Sequence, residues 1–156
     1  MGTTYHNKPI VTDGLVFYVD AANKESYPGS GTTATDIISN TSTTLQSSGM
    51  FENVNAGVFS FDGGTNSINC GDNNIVKPSG AMTIEYWFKG TSASVNASGI
   101  GTMGNNGSRG YFFYNGVPWS GDFNGEIGPI SFYKSKALSA SEVLHNYNAL
   151  KGRFGL

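Results

Sequence analysis

Residues 81–89 read AMTIEYWFK, and their alternation determines the fold class. One side of this stretch carries apolar and aromatic side chains, namely Met82, Ile84, Tyr86 and Phe88. The other side carries Thr83, Glu85, Trp87 and Lys89. Successive side chains of a β-strand point to opposite faces, so a period of two predicts a strand. We therefore expect a strand whose even-numbered side chains face a core.

Further runs rich in β-branched and aromatic residues predict the neighbouring strands. They are LVFYV at 15–19, VFSF at 58–61, SINC at 67–70, YFFY at 111–114 and ISFY at 130–133. Residues 21–50 and 90–110 are rich in Gly, Ser, Thr and Asn, so loops are expected there, with one short strand near 43–45. Pro129 stands at the start of the last strand, where an edge or a bulge tolerates the missing N–H. Together these runs predict an all-β fold, an antiparallel β-sandwich.

The C-terminal region predicts one helix, near residues 140–151. Ser139 and Glu142 have the spacing of a capping box, in which each side chain binds the other's backbone N–H. Apolar side chains then follow on one helical stripe at Val143, Leu144, Tyr147 and Leu150. Such a stripe usually faces a core, so we expect it to dock the helix on the sandwich. Gly152 is the expected left-handed residue at the helix end.

The composition excludes several classes of protein. The chain has 156 residues, of which 13% are charged and 13% aromatic, with 22 glycines, which fits one folded domain rather than a helix bundle or a disordered chain. Lys and Arg are scattered, which argues against nucleic-acid binding. No apolar run has the length of a membrane span or a signal peptide, so synthesis in a cytosol is expected. Cys70 is the only cysteine, which excludes an intrachain disulfide and a Cys-based zinc site.

The candidate metal ligands are carboxylates at strand ends and turns. Asp20, Asp62 and Asp122 could hold calcium, because calcium takes oxygen ligands. The alternative is that each Asp is a turn residue that accepts hydrogen bonds from its own backbone. No other cofactor is indicated. His6 and His145 have no acidic partner nearby in the sequence, so we expect structural or solvated roles for both.

The candidate ligand-binding residues are aromatic. Trp119, Tyr111, Tyr114 and Trp87 can stack on sugar rings, and the alternative is that they fill the core. Glu85 lies on the same strand face as Trp87 and is the one acid in the middle of a predicted strand. A glycosidase needs two carboxyl groups facing each other, and no second acid has a matching position. Glycan cleavage by Glu85 is therefore the weaker hypothesis.

Several segments together resemble one family. GLVFYVDAAN at 14–23, VFSFDG at 58–63, INCG at 68–71, MTIEYWF at 82–88, FNGEIG at 123–128, Phe132-Tyr133 and ALSASEV at 137–143 resemble the strands and the helix start of LamG-like, concanavalin A-like jelly-roll domains. This family includes lectins and glucanases. The ending NYNALKGRF at 146–154 is similar to versions found in structural proteins of tailed phages, especially those that infect marine cyanobacteria.

The resemblance implies a shortened jelly roll at residues 14–156, preceded by an N-terminal arm at 1–13. It further implies a non-enzymatic virion protein (a capsid decoration, head-fibre or tail-associated module) that is made in the host cytoplasm. Its partners would be capsid or tail proteins or further copies of itself. The expected subunit contacts lie in the arm, at Tyr5, His6, Pro9 and Ile10. The alternative is a lectin-like module that binds cell-surface glycans, and a glycan-cleaving enzyme comes third.

Overall fold

A computed structural model describes residues 9–71, 74–77, 80–90 and 123–156, together with the backbone of 98–103 and 109–114. These residues form mostly antiparallel β-structure with one short C-terminal helix. The strands are β1 Leu15–Val19, β2 Thr33–Asp36, β3 Thr41–Leu45, β4 Phe51–Glu52, β5 Val58–Asp62, β6 Ile68–Asn69, β7 Met82–Gly90, β8 Ser98–Met103, β9 Arg109–Tyr114 and β10 Asn124–Lys134. The helix is α1, Ala140–Leu150, and a 3-10 turn at Lys151–Phe154 follows it directly.

The largest sheet is built around β10. Strand β7 pairs with one edge of β10 along its whole length, from Gly125 opposite Gly90 to Lys134 opposite Met82. The other edge of β10 is shared between two partners: β5 pairs with its first half and β1 with its second half. Strand β4 extends the sheet beyond β5. All of these pairings are antiparallel, as the sequence predicts.

A second sheet, in the order β2-β3-β6, contributes to the same core as the first. Phe17, Phe59 and Phe132 of the first sheet share one buried cluster with Ala34 and Leu45 of the second. Each large apolar side chain that is fully buried stabilises the fold by about 1.5–3 kcal/mol. Met82 and Ile84 also pack against this cluster, which confirms the predicted core face for the first half of β7. Phe88, on the same side of the strand, is 60% exposed, so the prediction was wrong at that position.

The sequence underestimates the strand content of two regions. Residues 21–50 contain two strands, β2 and β3, instead of the one predicted near 43–45. Their inward positions include the polar residues Asp36 and Thr43, which are 0% and 1% exposed, so the apolar alternation is incomplete. The backbone at 98–103, expected to be a loop, forms β8 and pairs with β9. Its sequence, SGIGTM, carries little of the usual strand signal.

Strand β10 contains an irregularity that the sequence indicates only in part. It begins at Asn124, so Pro129 lies inside the strand rather than at its start. The register with β7 shifts between Ile127 and Ile130, which is where a bulge accommodates a residue without an N–H. The neighbouring Gly128 lies under the ring of Phe154, since a β-carbon there would be 2.8 Å from Phe154 Cζ.

The helix α1 confirms the predicted capping box, but two other expectations were wrong. Gly152 lies within the 3-10 turn, and the left-handed residue is Gly155, with φ 74°. The predicted docking stripe is mostly exposed, since Val143, Leu144 and Tyr147 are 44%, 57% and 41% exposed, although the Tyr147 ring stacks on Trp87. The buried residue of α1 is instead polar: Asn146 is 3% exposed. In the part of the chain described, no helix is both long and apolar enough to cross a membrane.

Gly125→Ala is expected to destabilise the fold by at least about 2 kcal/mol, since it combines strain at positive φ with overpacking. Gly125 has φ 151°, and an added β-carbon would lie 2.2 Å from the Lys89 carbonyl oxygen. Urea unfolding at pH 7 measures the change. Gly152→Ala is the control, because nothing lies within 4 Å of its added β-carbon. Equal midpoints for the two variants would contradict this account of the β10–β7 contact.

Candidate functional site

The N-terminal segment at residues 9–13, here called the strap, leads into β1 and lies against α1 and β10. The Val11 N–H donates to Asn146 Oδ1 at 2.8 Å. The Tyr133 hydroxyl donates to the Val11 carbonyl at 3.0 Å. His145 Nε2 lies 2.8 Å from the Pro9 carbonyl, which can only accept, so this ring nitrogen carries the proton. Side chains of the C-terminal region thus hold the strap through its backbone.

The strap also makes apolar contacts. Ile10 and Val11 pack against a second buried cluster, formed by Leu15, Tyr18 and Tyr133. Polar side chains therefore bind the backbone of Val11, and apolar side chains pack against its side chain. Because both kinds of contact involve the C-terminal region, the folded C-terminal region determines where the strap lies.

Three charged side chains form ion pairs at the C-terminal end of the strap. Lys136 Nζ lies 2.6 Å from Asp13 Oδ2 and 2.8 Å from Glu142 Oε1. Glu142 also accepts from the Ser139 N–H at 2.8 Å, as part of the capping box. The hydrogen bond from Lys136 and those from Ser139 lower the pKa of Glu142 to about 2. The hydrogen bonds to Asp13 and Glu142 raise the pKa of Lys136 to about 12.

Asn146 lies at the centre of a second polar cluster, between the strap, β7 and β10. Its amide Nδ2 donates to Glu85 Oε2 and, at 2.9 Å, to the Tyr133 hydroxyl. Burial raises the pKa of Glu85, and the hydrogen bond from Asn146 opposes that rise. Burial also raises the pKa of Tyr133 to about 12, so Tyr133 stays protonated at neutral pH. No buried side-chain N or O atom of the described residues lacks a hydrogen-bond partner.

A groove of about 870 Å³ lies between the strap, β1 and the end of α1. Apolar side chains form much of its wall, among them Ile10, Leu15, Ile37, Ile38 and Leu150. Ile38 is 46% exposed, so part of this apolar wall is open to solvent.

Two charged residues of the groove, Arg153 and Asp20, are paired with each other. Arg153 Nη1 donates to both carboxylate oxygens of Asp20 at 2.8 Å. The Tyr18 hydroxyl donates to Asp20 Oδ2 at 3.3 Å, and burial raises the pKa of Tyr18. Arg153 also donates to the carbonyls of Asn55 and Gly57. This guanidinium therefore fastens the C-terminal turn to the end of β1.

The predicted calcium ligands have protein partners where they are described. Asp20 is paired with Arg153. Asp62 accepts from the Gly64 N–H at 2.9 Å and from the Asn66 N–H at 3.4 Å, bonds that lower its pKa and match the turn alternative. Asp122 lies outside the described residues. Within the described ranges, no group of three His, Cys, Asp or Glu residues could hold a metal ion, and calcium binding stays a prediction.

The residues predicted to bind a ligand or a neighbouring subunit lie partly outside the described side chains. Tyr111 and Tyr114 lie on β9, described as backbone only, and Trp119, Tyr5 and His6 lie outside the described residues. Pro9 and Ile10 belong to the strap.

Trp87 stacks within the molecule. Its ring lies 4.6 Å from that of Phe154 and 5.5 Å from that of Tyr147, nearly parallel to both. These contacts join β7 to α1 and to the C-terminal turn.

Among the described aromatic side chains, Phe88 is more exposed than Trp87 or Tyr147. Phe88 is 60% exposed and lies beside Tyr86 and Phe123, with ring centroids 5.5 Å and 6.3 Å away. Sequence reasoning missed Phe88 as a surface residue, since its alternation places it on the core face.

The arrangement offers polar anchoring of the strap, an apolar groove and an apolar helix stripe.

Comparison with protein-family models, with curated proteins and with solved structures gives no match for this chain. Sequence reasoning missed Asn146, Arg153 and Tyr133 as residues of the site, because each partner lies far away along the chain.

Glu142→Gln is expected to lower the stability of the fold at pH 7. The pKa of Glu142 is lower in the folded protein than its ordinary 4.5. Its stabilisation is therefore present above pH 4.5 and disappears as the pH falls through about 2. Urea unfolding between pH 7 and pH 2 should show wild type and variant converging at the acid end. Glu52→Gln, at an exposed position on β4, is the control, and parallel curves for wild type and Glu142→Gln would contradict the assignment.

Proposed function

We propose that the chain is a non-enzymatic structural module of a tailed-phage virion, which docks on neighbouring virion subunits. The observation that supports docking best is the exposed apolar stripe of α1. A helix on a folded domain usually turns such a stripe toward the core. Here Val143, Leu144 and Tyr147 remain 41–57% exposed, while Asn146 is buried. Exposed apolar side chains close together on one helix face support a protein–protein contact.

The proposed context comes from the sequence. The resemblance to LamG-like domains and the similarity of residues 146–154 to phage structural proteins support a virion component. The two antiparallel sheets with one shared core support the finer proposal of a shortened concanavalin A-like jelly roll. Capsid or tail proteins, or further copies of the chain, are the proposed partners. Tyr5, His6, Pro9 and Ile10 are proposed contacts in addition to the helix stripe.

The state of the acidic groups supports a non-enzymatic role. Glu85 accepts from Asn146, Asp20 is paired with Arg153, and Glu142 is paired with Lys136. Each pairing joins two parts of the fold. A general acid or base must instead reach a substrate with its own proton or lone pair.

A carbohydrate-binding module is the second candidate. The observation that favours it is Phe88, which presents a 60% exposed ring next to Tyr86. Aromatic faces are suitable platforms for the apolar side of a sugar ring. Trp119, Tyr111 and Tyr114 remain proposed members of this platform.

Replacing Val143 and Leu144 together with Asp is expected to reduce incorporation into virions at least tenfold, because a charge on the stripe opposes apolar contact (about tenfold for each 1.4 kcal/mol). Mass spectrometry of purified virions measures the amount incorporated. Val54→Asp is the matched control, since Val54 is 42% exposed and Val143 is 44% exposed. Absence of the wild-type chain from virions, or equal incorporation of all variants, would contradict the proposal.

Phe88→Ala tests the carbohydrate alternative. If the module binds glycans through this platform, the variant should lose binding on a glycan array, while its unfolding midpoint stays close to that of wild type because the ring is 60% exposed. Trp119→Ala tests the second proposed part of the platform. An array without any wild-type signal would count against the alternative.

A further inference from the structure

Asn146 joins three parts of the fold through one amide group. Its two Nδ2 hydrogens go to Glu85 Oε2 on β7 and, at 2.9 Å, to the Tyr133 hydroxyl on β10. Its Oδ1 accepts the Val11 N–H of the strap at 2.8 Å. Both hydrogens of the amide nitrogen therefore bind groups of the sheet, and the amide oxygen binds the strap.

The identity of Glu85 determines which way this amide faces. An ionised carboxylate has lone pairs and no hydrogen to donate, so it can pair only with the donor end of Asn146. The carbonyl end must then face the strap, where it meets the Val11 N–H. A reversed amide would place its oxygen against the carboxylate and its N–H groups against the N–H of Val11. Both of those contacts are repulsive.

Tyr133 completes the hold on Val11. Its hydroxyl accepts from Asn146 Nδ2, so its single hydrogen is available for the Val11 carbonyl, to which it donates at 3.0 Å. The N–H and the C=O of Val11 are thus both bound by side chains whose donor and acceptor ends follow from the carboxylate of Glu85.

We propose that Glu85 is a positioning residue whose carboxylate fixes the Asn146 amide in the one orientation that holds the strap on α1. The strap is then a latched segment, held by a relay of three side chains from β7, α1 and β10. Because Ile10 lines the groove, release of this latch would change the groove wall. The latch acts within one chain, whichever molecule the proposed virion module contacts.

The test exchanges the hydrogen-bond donor and acceptor between positions 85 and 146 in the full-length chain. Asn146→Asp sets two carboxylates against each other, so the Val11 amide should exchange its hydrogen at least about tenfold faster. Glu85→Gln/Asn146→Asp exchanges the donor and the acceptor between the two positions. The new amide on β7 can then donate to the new carboxylate on α1, whose other oxygen accepts the Val11 N–H. The Tyr133 hydroxyl must then turn its single hydrogen from the Val11 carbonyl to this carboxylate. Because the Val11 N–H is bound again, its exchange should return to within about threefold of wild type. Hydrogen exchange followed by NMR at pH 7 reads out Val11 directly, with the amide of buried Phe59 as internal reference.

The control is Asn148→Asp, which adds the same charge two positions along the exposed side of α1 and should leave Val11 exchange unchanged. A double variant whose Val11 amide exchanges as fast as in Asn146→Asp would overturn the proposal. It would show that the side chain at position 85 does not determine how residue 146 holds Val11. An Asn146→Asp variant with wild-type exchange would overturn the proposal as well. If Asn146→Asp does not fold, a folded double variant with a protected Val11 supports the relay, and a double variant that also fails to fold overturns it.

Discussion

The fold depends on the hydrogen bonding of β10, which serves three other strands. This strand of eleven residues lies between β7 on one edge and β5 and β1, in succession, on the other. A strand buried between partners cannot leave its N–H and C=O groups unpaired. Pro129, which has no N–H, is tolerated there because the register shifts beside it. Beside this irregularity, the missing side chain of Gly128 leaves room for the ring of Phe154, which packs the C-terminal turn against β10.

Polar contacts, rather than an apolar seam, position the C-terminal helix. Asn146 enters the fold from the buried side of α1, and Arg153 reaches the buried Asp20 just beyond the helix. Trp87 adds ring stacking with Tyr147 and Phe154. Buried polar groups of this kind require partners with defined geometry, so they favour one arrangement of the helix over others. Val143 and Leu144 of the apolar stripe remain 44% and 57% exposed.

How much of this is predictable from sequence differs between local and distant features. The strand at 81–89 and the capping box at Ser139 and Glu142 depend on neighbouring residues, and the structure confirms both, although Phe88 of that strand is exposed. Strands β2 and β3 are less visible, because Asp36 and Thr43 occupy inward positions and are stabilised by hydrogen bonds that hydropathy does not register. An exposed stripe has the same sequence pattern as a buried one, which explains the error at Val143 and Leu144.

The candidate site is harder still to foresee. Asn146 has no distinguishing local signal, and its partners Val11 and Glu85 lie 135 and 61 residues away along the chain. The position of Arg153 opposite Asp20 likewise follows from the path of the whole chain, which brings the C-terminal turn to the end of β1. Such pairs become visible only when β10 and β1 are placed side by side.

The fastening of the strap to α1 has a consequence for synthesis on the ribosome. The contact between Val11 and Asn146 closes a loop of nearly the entire chain, and β1 pairs with β10 over a similar distance. Contacts between segments so far apart form slowly, because the loop entropy is lost before the contacts are gained. The first strand must therefore wait, without its main partner, until β10 at Asn124–Lys134 has been translated. During that interval its apolar residues, LVFYV at 15–19, are the part of the nascent chain most dependent on protection from other molecules.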